Sequence, residues 1–278
     1  MEPRIITILL MKEINDSLKN RWFVLYAGAF TGLALLLSWL SLSGGGTGYS
    51  GFAGFGRTAA SLVNLVLLVV PLMALTIGAG SLAGEQEHGT LSYLLSQPVN
   101  RAEVLLGKYL GLAATLLGVL ALGFGLSAIV IAGRGGQADA GAYALLVIFA
   151  FVLALGMLSL GFLISVLSRK AAVATGVALF VWLTLVFIGD LGLMGTALAF
   201  KLPIDSLFTL ALVNPLQVFK MSALLSINAS LDVLGPAGIY AMQTYRDSLT
   251  GLFLGSLAAW IVLPLGAAHI IFDKRGDL

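Results

Sequence analysis

Six stretches of the chain run for about the thickness of a bilayer's hydrocarbon core without one Asp, Glu, Lys or Arg, which limits the fold more than any other feature. They are Phe23 to Leu42, Ala59 to Ala83, Tyr109 to Ala132, Tyr143 to Leu167, Ala171 to Ile188 and Leu249 to Phe272. Each is continuously apolar, whereas a transmembrane barrel strand alternates over about ten residues. The expected fold is all-α and polytopic, a single transmembrane domain over residues 1–278 with six membrane helices. The composition fits, with 59% hydrophobic and 10% charged residues, where soluble proteins carry about 25% charged residues.

Between the second and third stretches lies an ordered polar island, GEQEHGTLSYLLSQPVNRAEVLLGK, from Gly84 to Lys108. It opens with acidic Glu85 and Glu87. Gly89 then gives a flexible break, and Thr90 is a candidate N-cap for a short helix. Leu91, Leu94 and Leu95 fall at i, i+3 and i+4 and so share one face of that helix, which Pro98 ends by disfavouring helical geometry at Gln97. Asn100 restarts the chain, and Glu103 three residues later completes a capping-box pattern ahead of an apolar run.

Cation placement sets the expected orientation. With the amino terminus inside, the inner segments hold Arg4, Lys12, Lys19, Arg21, Arg101, Lys108, Arg169, Lys170, Lys274 and Arg275, ten of the fifteen cations. Arg57, Arg134, Lys201, Lys220 and Arg246 lie on the other side. The positive-inside rule therefore puts both termini and the 84–108 island in the cytoplasm. The net charge of +2 reflects this loop bias; no basic patch is interleaved with aromatics, so nucleic acid is not an expected partner.

In residues 1–21, Ile6, Leu10, Ile14 and Leu18 recur every four positions opposite Lys12, Glu13, Asp16 and Lys19, the pattern of a helix lying in the membrane interface. Charges break its apolar stretch and no small-residue cleavage site follows, unlike a signal peptide. Leu42 to Gly56 contains GGGTGYSGFAGFG, read as a linker. The segment 196–248 is punctuated by Pro203, Pro215 and Pro236 and charged at Lys201, Asp205, Lys220 and Asp232, which speaks against a full crossing. Short amphipathic helices are expected there, either flat on the outer leaflet or as a platform for an outer partner.

Enzymatic signatures fail. With no cysteine there is no thiol nucleophile, thiolate cluster or disulfide. His88 and His269 belong to no zinc-protease pattern. Gly107 and Lys108 resemble the end of a phosphate loop, but Ala102 stands where its first glycine belongs and Tyr109 where Ser or Thr is required. GAGSLA at Gly78 to Ala83 mimics a dinucleotide fingerprint but sits at a membrane helix end, where helix packing explains it. The same four-residue spacing recurs at Gly28 and Gly32, Gly80 and Gly84, Gly107 and Gly111, and Gly251 and Gly255. Met194, Met221 and Met242 are soft enough for Cu(I), yet too scattered for a site and are read as packing. Asp190 is read as an interfacial carboxylate and Pro264 as a kink or a freed carbonyl. No catalytic or metal residue is assigned. An intramembrane serine protease using Ser81 or Ser159 would need a buried base that neither histidine supplies. A second alternative is a membrane anchor that recruits an outer partner and has no ATPase.

An interfacial helix, six spans, and the run Glu85, Glu87, Gly89, Thr90, Leu91, Leu94, Leu95, Ser96, Pro98, Arg101, Gly107 and Lys108 together resemble the permease subunit of a type-two ABC transporter. The resemblance implies that 84–108, with His88, is the coupling segment that docks on an ATPase. It implies two ATPase copies and a second copy of this chain in a bacterial inner membrane. ATP and Mg would belong to the ATPase, with no cofactor on this chain. Within the family the chain is most similar to members serving maturation of nitrous oxide reductase. That implies a periplasmic β-repeat partner resting on 196–248, with Leu207, Phe208, Leu212, Pro215 and Phe219 as contacts, and a role in assembling copper–sulfide centres. An exporter of another substrate stays open, as do the cargo, its direction and the stoichiometry.

Overall fold

The computed structural model describes residues 3–43, 52–97, 99–133, 140–189, 204–226, 244–245 and 248–274. Pro98, Asp190, Met194, Lys201, Pro203, Asp232, Pro236 and Met242 lie outside them. The elements are all helices: α1 Pro3–Lys19, α2 Arg21–Ser43, α3 Phe52–Glu87, α4 Thr90–Leu95, α5 Arg101–Gly133, α6 Ala140–Leu167, α7 Ala171–Phe187, α8 Ile204–Val213, α9 Pro215–Ser226 and α10 Leu249–Lys274. Of these, α2, α3, α5, α6 and α10 are long and apolar enough to cross a membrane. At 17 residues, α7 spans about 25 Å, the lower limit for a crossing.

The core is built where backbones can approach. A Cβ on Gly161 of α6 would stand 2.7 Å from Leu75 O and 3.0 Å from Gly78 Cα, so α3 and α6 touch at their glycines. Elsewhere large side chains fill the core, with Tyr109 of α5 edge-on to Phe162 of α6 and Phe30 of α2 edge-on to Phe124 of α5. Ser165 Oγ of α6 accepts from the Leu82 and Ala83 N–H groups at 2.9 and 2.8 Å, fastening α6 to the last turns of α3.

The four-residue glycine pairs divide. Gly107 and Gly111 seat α1: a Cβ there would come within 2.7 Å of Leu9 Cβ and 2.6 Å of Glu13 Cβ. At Gly28, Gly32, Gly80, Gly251 and Gly255 a Cβ would meet nothing within 4 Å. The seat also corrects the face assigned to α1. Leu9, Glu13 and Ser17 point inward, while Ile8, Met11 and Leu18 are exposed. Glu13 takes the inward position because it meets a cation there.

Short helices were expected in the 196–248 segment, and its described part, 204–226, holds two of them as a bent pair. α8 and α9 meet at Asn214 with a 108° turn, and α9 packs on α6, α10 and α3. Tertiary burial overrides the surface reading: Phe219 is 0% exposed, Phe208 2% and Leu207 8%, and Pro215 is buried. Leu212 is half-buried.

Candidate functional site

The 84–108 segment joins two helices that reach further than their apolar cores. α3 runs on to Glu87, His88 and Gly89 form a turn, and α5 starts at Arg101. Gly89 takes φ 72° at the N-cap of α4, a left-handed position that suits a residue without Cβ. Thr90, the expected cap, makes no cap bond; its hydroxyl donates back to Glu85 O at 3.1 Å. His88 Nδ1 lies 2.7 Å from Gly84 O, which requires the proton on that nitrogen. Asn100 N–H donates to the Glu103 carboxylate at 3.0 Å, the reciprocal bond of a capping box.

The leucine face has one member turned inward. Leu91 is 2% exposed and belongs to the core, while Leu94 and Leu95 are half-buried. The large side chain offered to solvent is Tyr93, 73% exposed, beside exposed His88, Thr90, Ser92 and Ser96. Periodicity locates a shared face but not which side of it meets the bundle, so Tyr93 was missed.

The island's charges also face the protein. Lys108, with a side chain 2% exposed, puts Nζ 2.6 Å from Glu13 Oε1 and 3.0 Å from Glu85 Oε1. Lys12 Nζ lies 2.8 Å from the same Glu85 oxygen, with Glu13 and Asp16 at 3.8 and 4.0 Å. Burial by itself would lower the pKa of Lys12; the hydrogen bond and charge of Glu85, with Glu13 and Asp16, outweigh it and hold the ammonium above its ordinary value. This cluster ties α1, α3 and α5 at one point. A buried lysine needs such carboxylates, because an unpaired charge in a low dielectric is costly.

Two further tethers run to distant helices. Glu87 Oε2 accepts from the Ala171 N–H at 2.9 Å, satisfying a donor at the N-terminus of α7. Arg101 Nη1 donates to Phe272 O at 2.7 Å, with its guanidinium 5.7 Å from the centre of the Phe272 ring. Glu85, Arg101 and Lys108 are thus bonded within the chain and hold the segment in place.

At the opposite end, the turn between α8 and α9 is caught from both sides. Asn214 Nδ2 donates to Leu185 O of α7 at 2.7 Å, and its Oδ1 accepts from the Leu216 N–H. From α10, Ser256 Oγ donates to Leu212 O at 2.8 Å and Trp260 Nε1 to Val213 O at 3.1 Å. Side chains thereby donate to backbone carbonyls at the ends of α7 and α8. Leu207, Phe208, Pro215 and Phe219 are buried among the chain's own helices, whereas Asp205, Ser206, Thr209, Leu210 and Val213 are exposed on α8.

The remaining candidates are structural. Ser81 Oγ donates to Gly78 O, and Ser159 Oγ donates to Leu155 O and lies 3.0 Å from Tyr109 Oη. Met221 is buried in the core. A cavity of about 570 Å³ opens where Asn20, Trp22 and Tyr26 face Thr76 and Ser81 of α3 and Thr175 of α7, with an edge formed by Glu13 and Asp16.

The model of the ABC-2 family transporter proteins matches residues 7–277. The probable ABC transporter permease protein NosY of Stutzerimonas stutzeri is 30% identical over 270 residues, covering 95% of this chain and 96% of that protein. Its namesake from Pseudomonas aeruginosa is 29% identical over 280 residues, 98% of each chain. Such relatives are membrane subunits used with an ATPase partner, and the apolar helices suit a multi-pass inner membrane protein. The chain belongs to the ABC-2 transporter family and is a permease subunit of an ABC transporter.

Proposed function

We propose that the 84–108 segment is the coupling surface of this permease and that ATP hydrolysis in a docked ATPase drives work across the membrane. The observation that supports this is the tethering of one short cytoplasmic segment to α1, α7 and α10 through Lys108, Glu87 and Arg101. A push on α4 then moves several helices together. The cation bias places this end and both termini in the cytoplasm. Two copies of the chain with two ATPases, bearing the ATP and Mg, form the working unit. Tyr93 is its exposed docking anchor, flanked by Leu94 and Leu95.

The work is directed to a periplasmic partner during maturation of the copper–sulfide centres of nitrous oxide reductase. This part rests on whole-chain likeness to permeases named NosY. The partner's contact is the exposed face of α8 at Asp205, Ser206, Thr209 and Leu210. A second reading, export of a small cargo, is favoured by the cavity walled by Trp22, Tyr26, Thr76, Ser81 and Thr175.

Tyr93→Ala removes the aromatic anchor while leaving the core intact. Loss of a central aromatic at an interface costs about 2 kcal/mol, or roughly thirtyfold in affinity. The ATPase should fail to co-purify while the permease stays in the membrane at its normal level. Undiminished recovery of the ATPase with both Tyr93→Ala and Leu94→Glu would remove α4 as the docking element. For the biological role, cells lacking this chain should make nitrous oxide reductase without its copper–sulfide centre; a complete centre would exclude that role.

A further inference from the structure

The two helices held at the hairpin end are the two tethered at the charged end. α7 begins at Ala171 on Glu87 and ends beside Asn214, which bonds Leu185 O. α10 takes the hairpin tip on Ser256 and Trp260 and is held near its other end at Phe272 by Arg101. The grips on α7 lie about 21 Å apart along its axis, and those on α10 about 18 to 24 Å, at 1.5 Å per residue. The hairpin carbonyls that α10 holds, Leu212 O and Val213 O, directly precede the Asn214 side chain that holds α7.

We propose that α7 and α10 are paired struts of a linkage, with the 84–108 segment as its base and the α8–α9 hairpin as its crossbar. The proposal rests on the coupling role of 84–108 given above. Helices are stiff along their axes, and the bonds at both ends of each strut join named atoms rather than broad surfaces. When the base tilts, the two struts, which pack on α6 rather than on each other, are displaced unequally along their axes, and the crossbar rotates. The exposed face of α8, with Asp205 and Thr209, turns with it. Pro264 sits in α10 between the two grips and has no N–H for the carbonyl four residues back, that of Trp260. The strut therefore lacks one backbone hydrogen bond just below the residue that carries the crossbar. Ser256, Trp260 and Asn214 are positioning residues: they do not touch the ATPase and act through the hairpin.

The chain has no cysteine, so Thr209→Cys supplies a single thiol on the exposed face of α8. The complete complex with its ATPase is placed in vesicles and labelled there with an environment-sensitive fluorophore. ATP should change the emission in the otherwise unaltered chain. In Ser256→Ala/Trp260→Phe, which cuts the α10 grip, the ATP-dependent change should fall at least fivefold while ATP hydrolysis continues at its normal rate. Asn214→Ala, which cuts the α7 grip, should do the same and serves if the double variant does not assemble. Arg101→Leu should also silence the label, and Arg101→Lys, which keeps a donor for Phe272 O, should restore at least half of the response. A label that ignores ATP in the unaltered, hydrolysing complex overturns the linkage, as does an equal response in the hairpin variants. An unaltered chain that binds no ATPase overturns the coupling reading, and the linkage with it.

Discussion

At one end of the bundle a buried Lys108 meets carboxylates from two other segments; at the other, Asn214, Ser256 and Trp260 reach for backbone carbonyls around a chain that has turned through 108°. The first junction is ionic and joins side chains on α1, α3 and α5. The second is neutral and joins side chains to backbone. An ionic junction around a buried lysine loses much at once, because removing Lys108 takes the nearest cation from Glu13 and one of two cations from Glu85. A neutral junction yields bond by bond, each worth about 1 kcal/mol in membrane proteins. The charged end is thus the more cooperative junction, and the hairpin end the more compliant one.

The sharpest way to break this contrast is Lys108→Met. It takes the buried cation from Glu13, leaves Glu85 to the half-exposed Lys12 alone, and should cost about 3 kcal/mol, read as a fall in the thermal denaturation midpoint of the detergent-purified chain. Adding Glu13→Gln and Glu85→Gln should recover most of the loss. A single variant as stable as the parent would mean that the ionic junction holds nothing. Next come the glycines at each end. A Cβ at Gly111 would lie 2.9 Å from Leu10 O, which is backbone and must carry α1 with it, so Gly111→Ala should cost about 1–3 kcal/mol. At Gly189 the neighbours are the amide ends of Gln217 and Asn214, at 2.8 and 2.9 Å. These can turn aside, so Gly189→Ala should cost less than about 1 kcal/mol. Equal losses at both positions would erase the distinction between a rigid and a compliant end.

Smaller effects refine it. Asn214→Ala leaves Leu185 O without its side-chain donor and should cost about 1 kcal/mol in unfolding titrations. Smallest is Glu87→Gln, which keeps an oxygen for the Ala171 N–H and loses only the charge at the start of α7. On this exposed side chain the change should stay under about 0.5 kcal/mol and vanish in high salt. A loss above 2 kcal/mol there would show that the α7 tether carries as much as the ionic junction.

Local devices were legible and distant ones were not. The Asn100 and Glu103 capping box is an i, i+3 relation written in the chain, and it forms. The Gly107 and Gly111 spacing announced a close approach, although not that α1 would fill it. The pairing of Lys108 with Glu13 spans 95 positions; loop-charge reasoning sees these residues as solvated, and only the packing of α1 on α5 makes them buried. The hairpin was half legible. Proline and charge argued against a full crossing of the 196–248 segment, but Leu207, Phe208 and Phe219 became inward-facing only because the turn at Asn214 dips beside α7 and α10.

The shortness of α7 bears on the lipid as well as on the protein. Seventeen residues cover about 25 Å, several Å less than the roughly 30 Å of an average hydrocarbon core. A helix of that length suits a thinner-than-average bilayer, and a thicker one carries a mismatch cost that depends on acyl-chain length. Membrane thickness thereby becomes a variable acting on the same helix that holds one side of the hairpin.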